Sequence, residues 1–133
     1  MVMQAQVSTR TWTLAELGWR PFFSTQIAGD DDALCYPVRV MAVHRGRIAV
    51  AGEGAALLIN PHLPNASGEE DHPTVGDWLL LDRETMEPAR ILQRANLFKR
   101  RAPGHDRKLQ LIAANVDTLF IVASCNQDFS AAR

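Results

Sequence analysis

The middle of this chain is dominated by short apolar and β-branched segments that are separated by glycine-bearing turns. From Cys35 onward the sequence takes on a period of two, in which Val38 and Val40 flank Arg39. β-branched residues in this spacing favour strands over helices. The feature therefore predicts a domain built from short β-strands.

The same signals recur along the chain and predict five strands, at residues 35–43, 48–51, 56–59, 77–81 and 89–92. Gly46 in the segment His44-Arg45-Gly46-Arg47 predicts a tight turn, so the first two strands should form a hairpin. Residues 60–74 are rich in proline, asparagine, glycine and acids, which indicates a long loop between the third and fourth strands.

Five short strands with no helical pattern between them predict an all-β fold. A five-stranded OB-fold barrel fits this order best, because closure removes exposed sheet edges and a long connection commonly joins its third and fourth strands. A six-stranded SH3-like barrel is the alternative.

The N-terminal segment carries a helix-start signal followed by aromatic residues. Thr13 and Glu16 have the spacing of a capping box, and Gly18 ends the turn that they begin. We expect a short helical turn and an extended arm, anchored on the barrel by aromatic side chains, namely Trp19, Phe22 and Phe23.

The sequence after the fifth strand has a different character. Residues 94–114 are predicted to be a basic loop and linker, whereas Val116 to Ala123 is a nearly continuous apolar run. A strand that is apolar on both faces belongs in a parallel sheet covered by helices. The expected organisation is an arm at 1–34, the barrel at 35–93, the basic linker at 94–114, and the start of an incomplete α/β domain at 115–133.

Length and composition exclude several classes of protein. With 133 residues, 47% hydrophobic and 22% charged, the chain has room for one ordinary globular core. It contains no apolar run of the roughly 20 residues that cross a bilayer and no secretory signal, so we expect a cytoplasmic protein without a membrane partner. Cys35 and Cys125 lack disulfide or zinc-ligand spacing and are expected to be small buried apolar residues.

Basic residues are concentrated after the fifth strand. Half of the 14 lie between Arg90 and Lys108, whereas the residues before Arg90 contain twice as many acids as bases. Cations beside an aromatic ring suit RNA, because they bind phosphates while the ring stacks on an unpaired base. Since the first hairpin of an OB-fold also borders its usual binding face, the predicted RNA-binding residues are Arg45, Arg47, Arg94, Phe98, Lys99, Arg100, Arg101 and Lys108. The alternative interpretation is a solvated loop whose arginines pair with the acidic loops.

Other chemistry is not supported by the spacing of residues. The four histidines His44, His62, His72 and His105 show no metal-ligand spacing. The run Glu69-Glu70-Asp71-His72 is interpreted as a solvated charged loop, and Asp77 as a turn residue before the fourth strand. We predict no catalytic, metal-binding or cofactor-binding residue in this chain.

Four blocks of the sequence together resemble a known family. They are Leu17-Gly18-Trp19 with Phe22-Phe23, the hairpin from Val38 to Arg47, Val75-Gly76-Asp77-Trp78, and the segment from Ala113 to Val122. In this order they are similar to the N-terminal part of the ribosome small-subunit-dependent GTPase A family, the circularly permuted GTPases also called the YjeQ/EngC or RsgA type.

The resemblance implies an N-terminal OB-fold that docks on 16S rRNA of the 30S subunit during its late maturation. It places Arg94, Phe98, Arg100 and Arg101 on the family's basic segment, and Arg45 and Arg47 on its first hairpin. The implied partner is the small subunit, with no DNA partner, and the expected state is a monomer.

The enzymatic part of the family is not matched. The sequence contains no NKxD, GxxxxGK[ST] or DxxG motif, and without these elements GTP phosphates are not held or polarised. We expect no cofactor in this chain, with GTP, Mg²⁺ and Zn²⁺ restricted to the full-length family.

Two alternative functions stay open. One is a part of a GTP-hydrolysing enzyme that requires further residues, and the other is a protein- or oligosaccharide-binding barrel in which Trp19, Trp78 and Phe98 contact the ligand.

Overall fold

The computed structural model describes residues 12–29, 33–104 and 108–123. The elements in chain order are a short helix and seven strands: α1 (Pro21–Ser24), β1 (Cys35–His44), β2 (Arg47–Gly52), β3 (Ala55–Ile59), β4 (Trp78–Asp82), β5 (Pro88–Ile91), β6 (Leu97–Arg101) and β7 (Leu109–Ala114). The structure is thus mostly β with almost no helix, and each of the five strands predicted up to residue 92 is confirmed.

The first five strands form one antiparallel sheet in the order β3-β2-β1-β4-β5. β1, β2 and β3 follow one another as hairpins, and the long loop at residues 60–77 returns the chain so that β4 lies beside β1. This is the Greek-key arrangement. Among the described residues β3 and β5 are the outer strands with no pairing between them, so closure into the predicted barrel is not confirmed.

The turn between β1 and β2 forms as predicted. Gly46 has a φ of 75°, a left-handed conformation that glycine adopts without steric cost. His44 pairs with Arg47 across this turn. Before this turn, a β-bulge between Val40 and Ala42 changes the direction of the end of β1.

Apolar side chains cover both faces of the sheet. One cluster contains residues from β1 to β4, with half-buried β3 and β5 residues packed against it; its buried members are Val38, Val40, Ile48, Val50, Ile59, Leu79 and Leu81. The second contains Leu17, Phe23, Ala51, Trp78, Leu80 and Leu92. Full burial of each large aliphatic side chain contributes about 1.5–3 kcal/mol, so these clusters are the main source of stability.

The N-terminal arm supplies the cover for the second face. Thr13 and Glu16 form the predicted capping box, since each backbone N–H donates to the other side chain, at 3.0 and 3.2 Å. Phe23 is buried, and Trp19 packs edge-on against Trp78 with 4.8 Å between ring centroids. Phe22 is 41% exposed, so it is not the anchor that the sequence predicted.

The basic segment is not the loop that the sequence predicted. β6 and β7 pair as a separate two-stranded antiparallel hairpin with a bulge between Phe98 and Lys99. Three consecutive cations on β6 hide the period-two signal, because the side chains of Lys99, Arg100 and Arg101 all remain exposed. The domain boundaries proposed from sequence stay predictions.

The apolar run after Asn115 is described up to Ala123 and forms no strand there. Leu119 is 60% exposed and Val122 is 90% exposed. A strand needs neighbouring backbone groups to pair with, and no other described strand lies beside these residues. The predicted α/β strand is therefore not formed in this structure.

Cys35 is half-buried and not the small buried residue that was predicted, while Cys125 lies outside the described residues. Within the described ranges, no helix has the length and apolar character needed to cross a bilayer.

Candidate nucleic-acid interface

The turn that leads into β4 is organised by Asp77. This fully buried carboxylate accepts a hydrogen bond from the backbone N–H of Thr74 at 2.8 Å, and the backbone N–H of Asp77 donates to the carbonyl of Thr74 at 3.0 Å. The sequence prediction that Asp77 is a turn residue is therefore confirmed. The two carboxylate oxygens of Asp77 also accept hydrogen bonds from the start of the basic segment.

Arg94 donates these hydrogen bonds. Its Nε donates to Asp77 Oδ1 at 2.7 Å, and its NH2 nitrogen donates to Oδ2 at 2.9 Å, which is a two-pronged guanidinium–carboxylate pair. The same guanidinium donates to the backbone carbonyls of Glu70 and His72. Burial acts to lower the pKa of Arg94, but the hydrogen bonds and charge of Asp77 raise it above its ordinary value.

Arg94 was predicted to contact RNA, and the structure instead uses it internally. Its side chain is only 13% exposed, and Asp77 is 0% exposed. Burying two charges is costly unless they are paired and hydrogen-bonded, and this pair meets both conditions. The prediction placed Arg94 with its neighbours because a charge count along the chain cannot separate a buried cation from an exposed one.

Gly76 and Asn115 join the sheet to the β6–β7 hairpin. Asn115 is 2% exposed and has a φ of 56°. Its Nδ2 donates to the Gly76 carbonyl at 2.9 Å, and its Oδ1 accepts from the Ala95 backbone N–H at 2.8 Å. The backbone N–H of Ala114 also donates to Val75. Two of the blocks that carry the family resemblance are thus in direct contact.

Arg39 is a second junction residue, which the sequence reasoning missed. It donates to the backbone carbonyls of Leu17 at 2.6 Å, Gly76 at 3.0 Å and Asn115 at 2.8 Å. Its guanidinium also lies 5.7 Å from the centre of the Trp78 ring. Burial lowers the pKa of Arg39, and the charges of Asp117 and Asp77 oppose that shift. The sequence signal that could have identified it is a charged residue between two valines of a predicted strand.

The second half of β6 carries a row of exposed cations. Lys99, Arg100 and Arg101 are consecutive and exposed, and Lys108 just before β7 is also exposed. Arg100 Nε donates to Gln110 Oε1 across the hairpin at 2.8 Å. Phe98 is half-buried and pairs with Ala113 across the hairpin.

The acidic loop between β3 and β4 lies against this hairpin. Glu70 forms an ion pair with Lys99, and Glu69 lies 3.3 Å from Arg101 NH1. Glu69 also accepts the backbone N–H of Leu109 at 3.2 Å. These contacts lower the pKa of Glu69, first through the Leu109 hydrogen bond and then through Arg101. Glu69 and Glu70 are solvent-exposed, as predicted for this charged loop, and they also pair with the basic segment as the alternative interpretation proposed.

Arg45 and Arg47 are exposed at the β1–β2 turn, as predicted. Val43, just before the turn, and Leu109, just after Lys108, line the same open cleft of about 300 Å³. The structure therefore brings the end of β1 and the start of β7 to one cleft, whereas Arg94 is largely buried.

The aromatic residues proposed as ligand contacts in the oligosaccharide alternative are placed differently. Trp78 is 0% exposed and belongs to the core, so it contacts no external ligand. Trp19 is half-buried against it. The oligosaccharide-binding interpretation therefore loses one of its three proposed ligand contacts.

In the part of the chain that the structure describes, no three histidine, cysteine or acidic side chains come close enough together to hold a metal ion. His44, His62 and His72 are exposed, and His105 lies outside the described residues.

The fold and its surface define a small, mostly β domain with an exposed basic hairpin. No protein-family model and no solved structure matches the chain. Curated relatives do match. The chain is 44% identical over 122 residues to "Small ribosomal subunit biogenesis GTPase RsgA 2" of Vibrio parahaemolyticus, which is 90% of this chain and 32% of that protein.

Two further relatives bear the same name without the number. RsgA of Mesorhizobium japonicum is 38% identical over 133 residues, which is all of this chain and 37% of the relative. RsgA of Xanthomonas campestris is 33% identical over 132 residues. The chain is therefore homologous to the small ribosomal subunit biogenesis GTPases of the RsgA family, which confirms the resemblance seen in its sequence. It spans about a third of the length of these relatives.

Proposed function

We propose that this chain is the rRNA-binding OB-fold module of a ribosome-biogenesis GTPase, and that it docks on the 30S small ribosomal subunit during late maturation. The observation that carries the proposal is the row of exposed cations on β6 in a homologue of proteins named for small-subunit biogenesis. RNA is the polyanion that such a surface meets on the 30S particle.

The sheet topology supports the OB-fold part of the proposal. The OB-fold is a five-stranded, partly open Greek-key barrel, and β3-β2-β1-β4 is a Greek key. Leu57 of β3 and Ile91 of β5 pack against one apolar cluster although their strands are the two outer ones. A flat sheet would hold these strands about 19 Å apart at the usual spacing, so the shared cluster favours a curled sheet.

The proposed contact residues are the exposed cations together with Phe98. They are Arg45, Arg47, Lys99, Arg100, Arg101 and Lys108, while Arg94 holds the base of the hairpin by its pair with Asp77. Each phosphate that these cations neutralise should steepen the dependence of log K on log salt by close to one. Partial exposure of Phe98 suits stacking on an unpaired base.

The test is co-sedimentation with purified small ribosomal subunits at several salt concentrations. We expect Arg100→Glu with Arg101→Glu to weaken binding at least tenfold and to flatten the salt slope. The matched control is Arg20→Glu with Arg83→Glu, two exposed arginines outside the β6–β7 hairpin that give the same change in net charge. Equal binding by both double variants would refute the surface.

GTP hydrolysis is the second candidate, because the relatives are named GTPases. We propose that nucleotide binding belongs to the two thirds of the relatives that this chain does not span, since no P-loop motif is present in its sequence. Equilibrium dialysis of the chain against labelled GTP with Mg²⁺ is expected to show no binding. Saturable binding would show that this chain itself binds nucleotide and would contradict the proposal.

We further propose that the module acts as a cytoplasmic monomer, with neither DNA nor a membrane as its partner. Sedimentation velocity of the free chain should give a single monomeric species, and duplex DNA should compete poorly with small subunits.

A further inference from the structure

The β3–β4 loop occupies the same cations that the proposed function assigns to RNA. Glu70 holds Lys99, and Glu69 lies 3.3 Å from Arg101 while accepting the Leu109 N–H. A carboxylate and a phosphate oxygen use the same donors in the same way. The two glutamates therefore stand where RNA phosphates would bind.

We propose that residues Glu69 and Glu70 form an autoinhibitory cover over the β6–β7 hairpin, which RNA must displace in order to bind. The inference rests on the proposed function, because it assigns a regulation to the same surface. Such a cover would penalise weak, isolated phosphate contacts more than a target that engages several cations at once, and would thus favour the structured subunit over random RNA.

The magnitudes are consistent with a cover that opens. Lys99, Glu70, Arg101 and Glu69 side chains are all 44–59% exposed. Solvent-exposed ion pairs contribute only about 0–1 kcal/mol each and weaken with salt. Arg94 fixes the base of this loop through the Glu70 and His72 carbonyls, so the carboxylates can leave while the loop stays attached.

The experiment measures binding of a fluorescently labelled single-stranded RNA and of small ribosomal subunits by the full chain at low and high salt. Glu69→Gln with Glu70→Gln should bind the RNA about two- to tenfold more tightly at low salt, with the gain shrinking as salt screens the ion pairs. The ratio of subunit affinity to RNA affinity should fall.

The matched control is Glu84→Gln with Glu87→Gln, which removes two exposed acids from the β4–β5 turn and leaves the hairpin unchanged. If both double variants tighten RNA binding equally, net charge alone explains the effect and the cover is refuted. Thermal unfolding checks that each variant is folded.

A second readout follows the cover directly. The backbone amide of Leu109 donates to Glu69, so its NMR signal should move when RNA is added to the wild-type chain and should already be moved in the Glu69→Gln variant. If the wild type binds RNA with no change at Leu109, the cover is wrong while the proposed function stands. If no variant and no wild-type sample binds RNA or subunits at low salt, the proposed function and the cover both fail.

Discussion

The backbone of Gly76 runs directly against the carbonyl of Ala114, with a φ of 94°. A Cβ at this position would overlap that carbonyl oxygen. Gly76 also belongs to one of the blocks that carry the family resemblance. Its close approach to Ala114 explains why glycine is required there.

We expect Gly76→Ala to destabilise the domain by more than about 3 kcal/mol, because a left-handed penalty of about 1–2 kcal/mol adds to the overlap with Ala114. The control is Gly46→Ala, which has a φ of 75° and open space around it and should lose only the conformational part. Urea unfolding of both variants checks this. Equal losses would mean that the approach to Ala114 is not constraining.

Arg94 and Asp77 make a second residue-level prediction. Arg94→Ala leaves a fully buried carboxylate without its partner, and breaking a buried pair in this way costs about 3–5 kcal/mol. Arg101→Ala removes an exposed ion pair and should cost below about 1 kcal/mol. Chemical denaturation measures the loss of stability in each variant. A small loss for Arg94→Ala would contradict its structural role and make it a candidate RNA contact again.

The elements of the fold were predictable to different degrees. The five strands up to residue 92 follow from local alternation and from turns such as Gly46, so the sequence shows them directly. The β6–β7 hairpin was missed because β6 carries three consecutive exposed cations, which obscure the period of two. Its existence depends on pairing between residues 97–101 and 109–114, which no local pattern reveals.

The candidate site was predictable in composition but not in geometry. The basic segment and Phe98 were found from the charge count, whereas the partners of Arg94, Lys99 and Arg101 lie 17, 29 and 32 residues earlier in the chain. Such long-range pairs are set by the return of β4 beside β1. The sequence therefore predicts which cations are present, and the topology decides which of them are free to bind.

Arg39 connects three elements, namely the arm, the turn before β4 and the segment after β7. We expect Arg39→Lys to loosen the arm, because a single ammonium group cannot reach three separated carbonyls in the way that a planar guanidinium does. Hydrogen exchange of the Leu17 and Trp19 amides, which are bonded within the arm, should accelerate, while the Val50 amide in β2 serves as the control. Unchanged arm exchange would contradict the role given to Arg39.

Two carboxylates in separate parts of the molecule, Asp71 in the β3–β4 loop and Asp82 at the end of β4, have lowered pKa values. The N–H groups of Gly68 and Ser67 lower the pKa of Asp71, and those of Thr85 and Glu84 lower the pKa of Asp82, both from an ordinary value of 3.8. A lowered folded-state pKa gives stability that is present above the unfolded pKa and is lost as pH falls through the folded one. The molecule should therefore keep this contribution at neutral pH and lose it in acid.

Asp82→Asn tests this behaviour. The variant should be less stable than the wild type near neutral pH, because the charged acceptor of two backbone N–H groups is gone. The difference should shrink as pH falls below the ordinary value of 3.8 and through the lowered pKa at which the folded wild-type Asp82 becomes protonated. Denaturant unfolding across this range provides the measurement, and a difference independent of pH would show that the charge of Asp82 does not matter.

The guanidinium of Arg39 donates hydrogen bonds to the carbonyls of both Leu17 and Asn115, and so ties the N-terminal arm to the segment after β7. A tensile load applied between Leu17 and Asn115 is therefore expected to act on these hydrogen bonds before it reaches the strands that lie between the two residues in the chain.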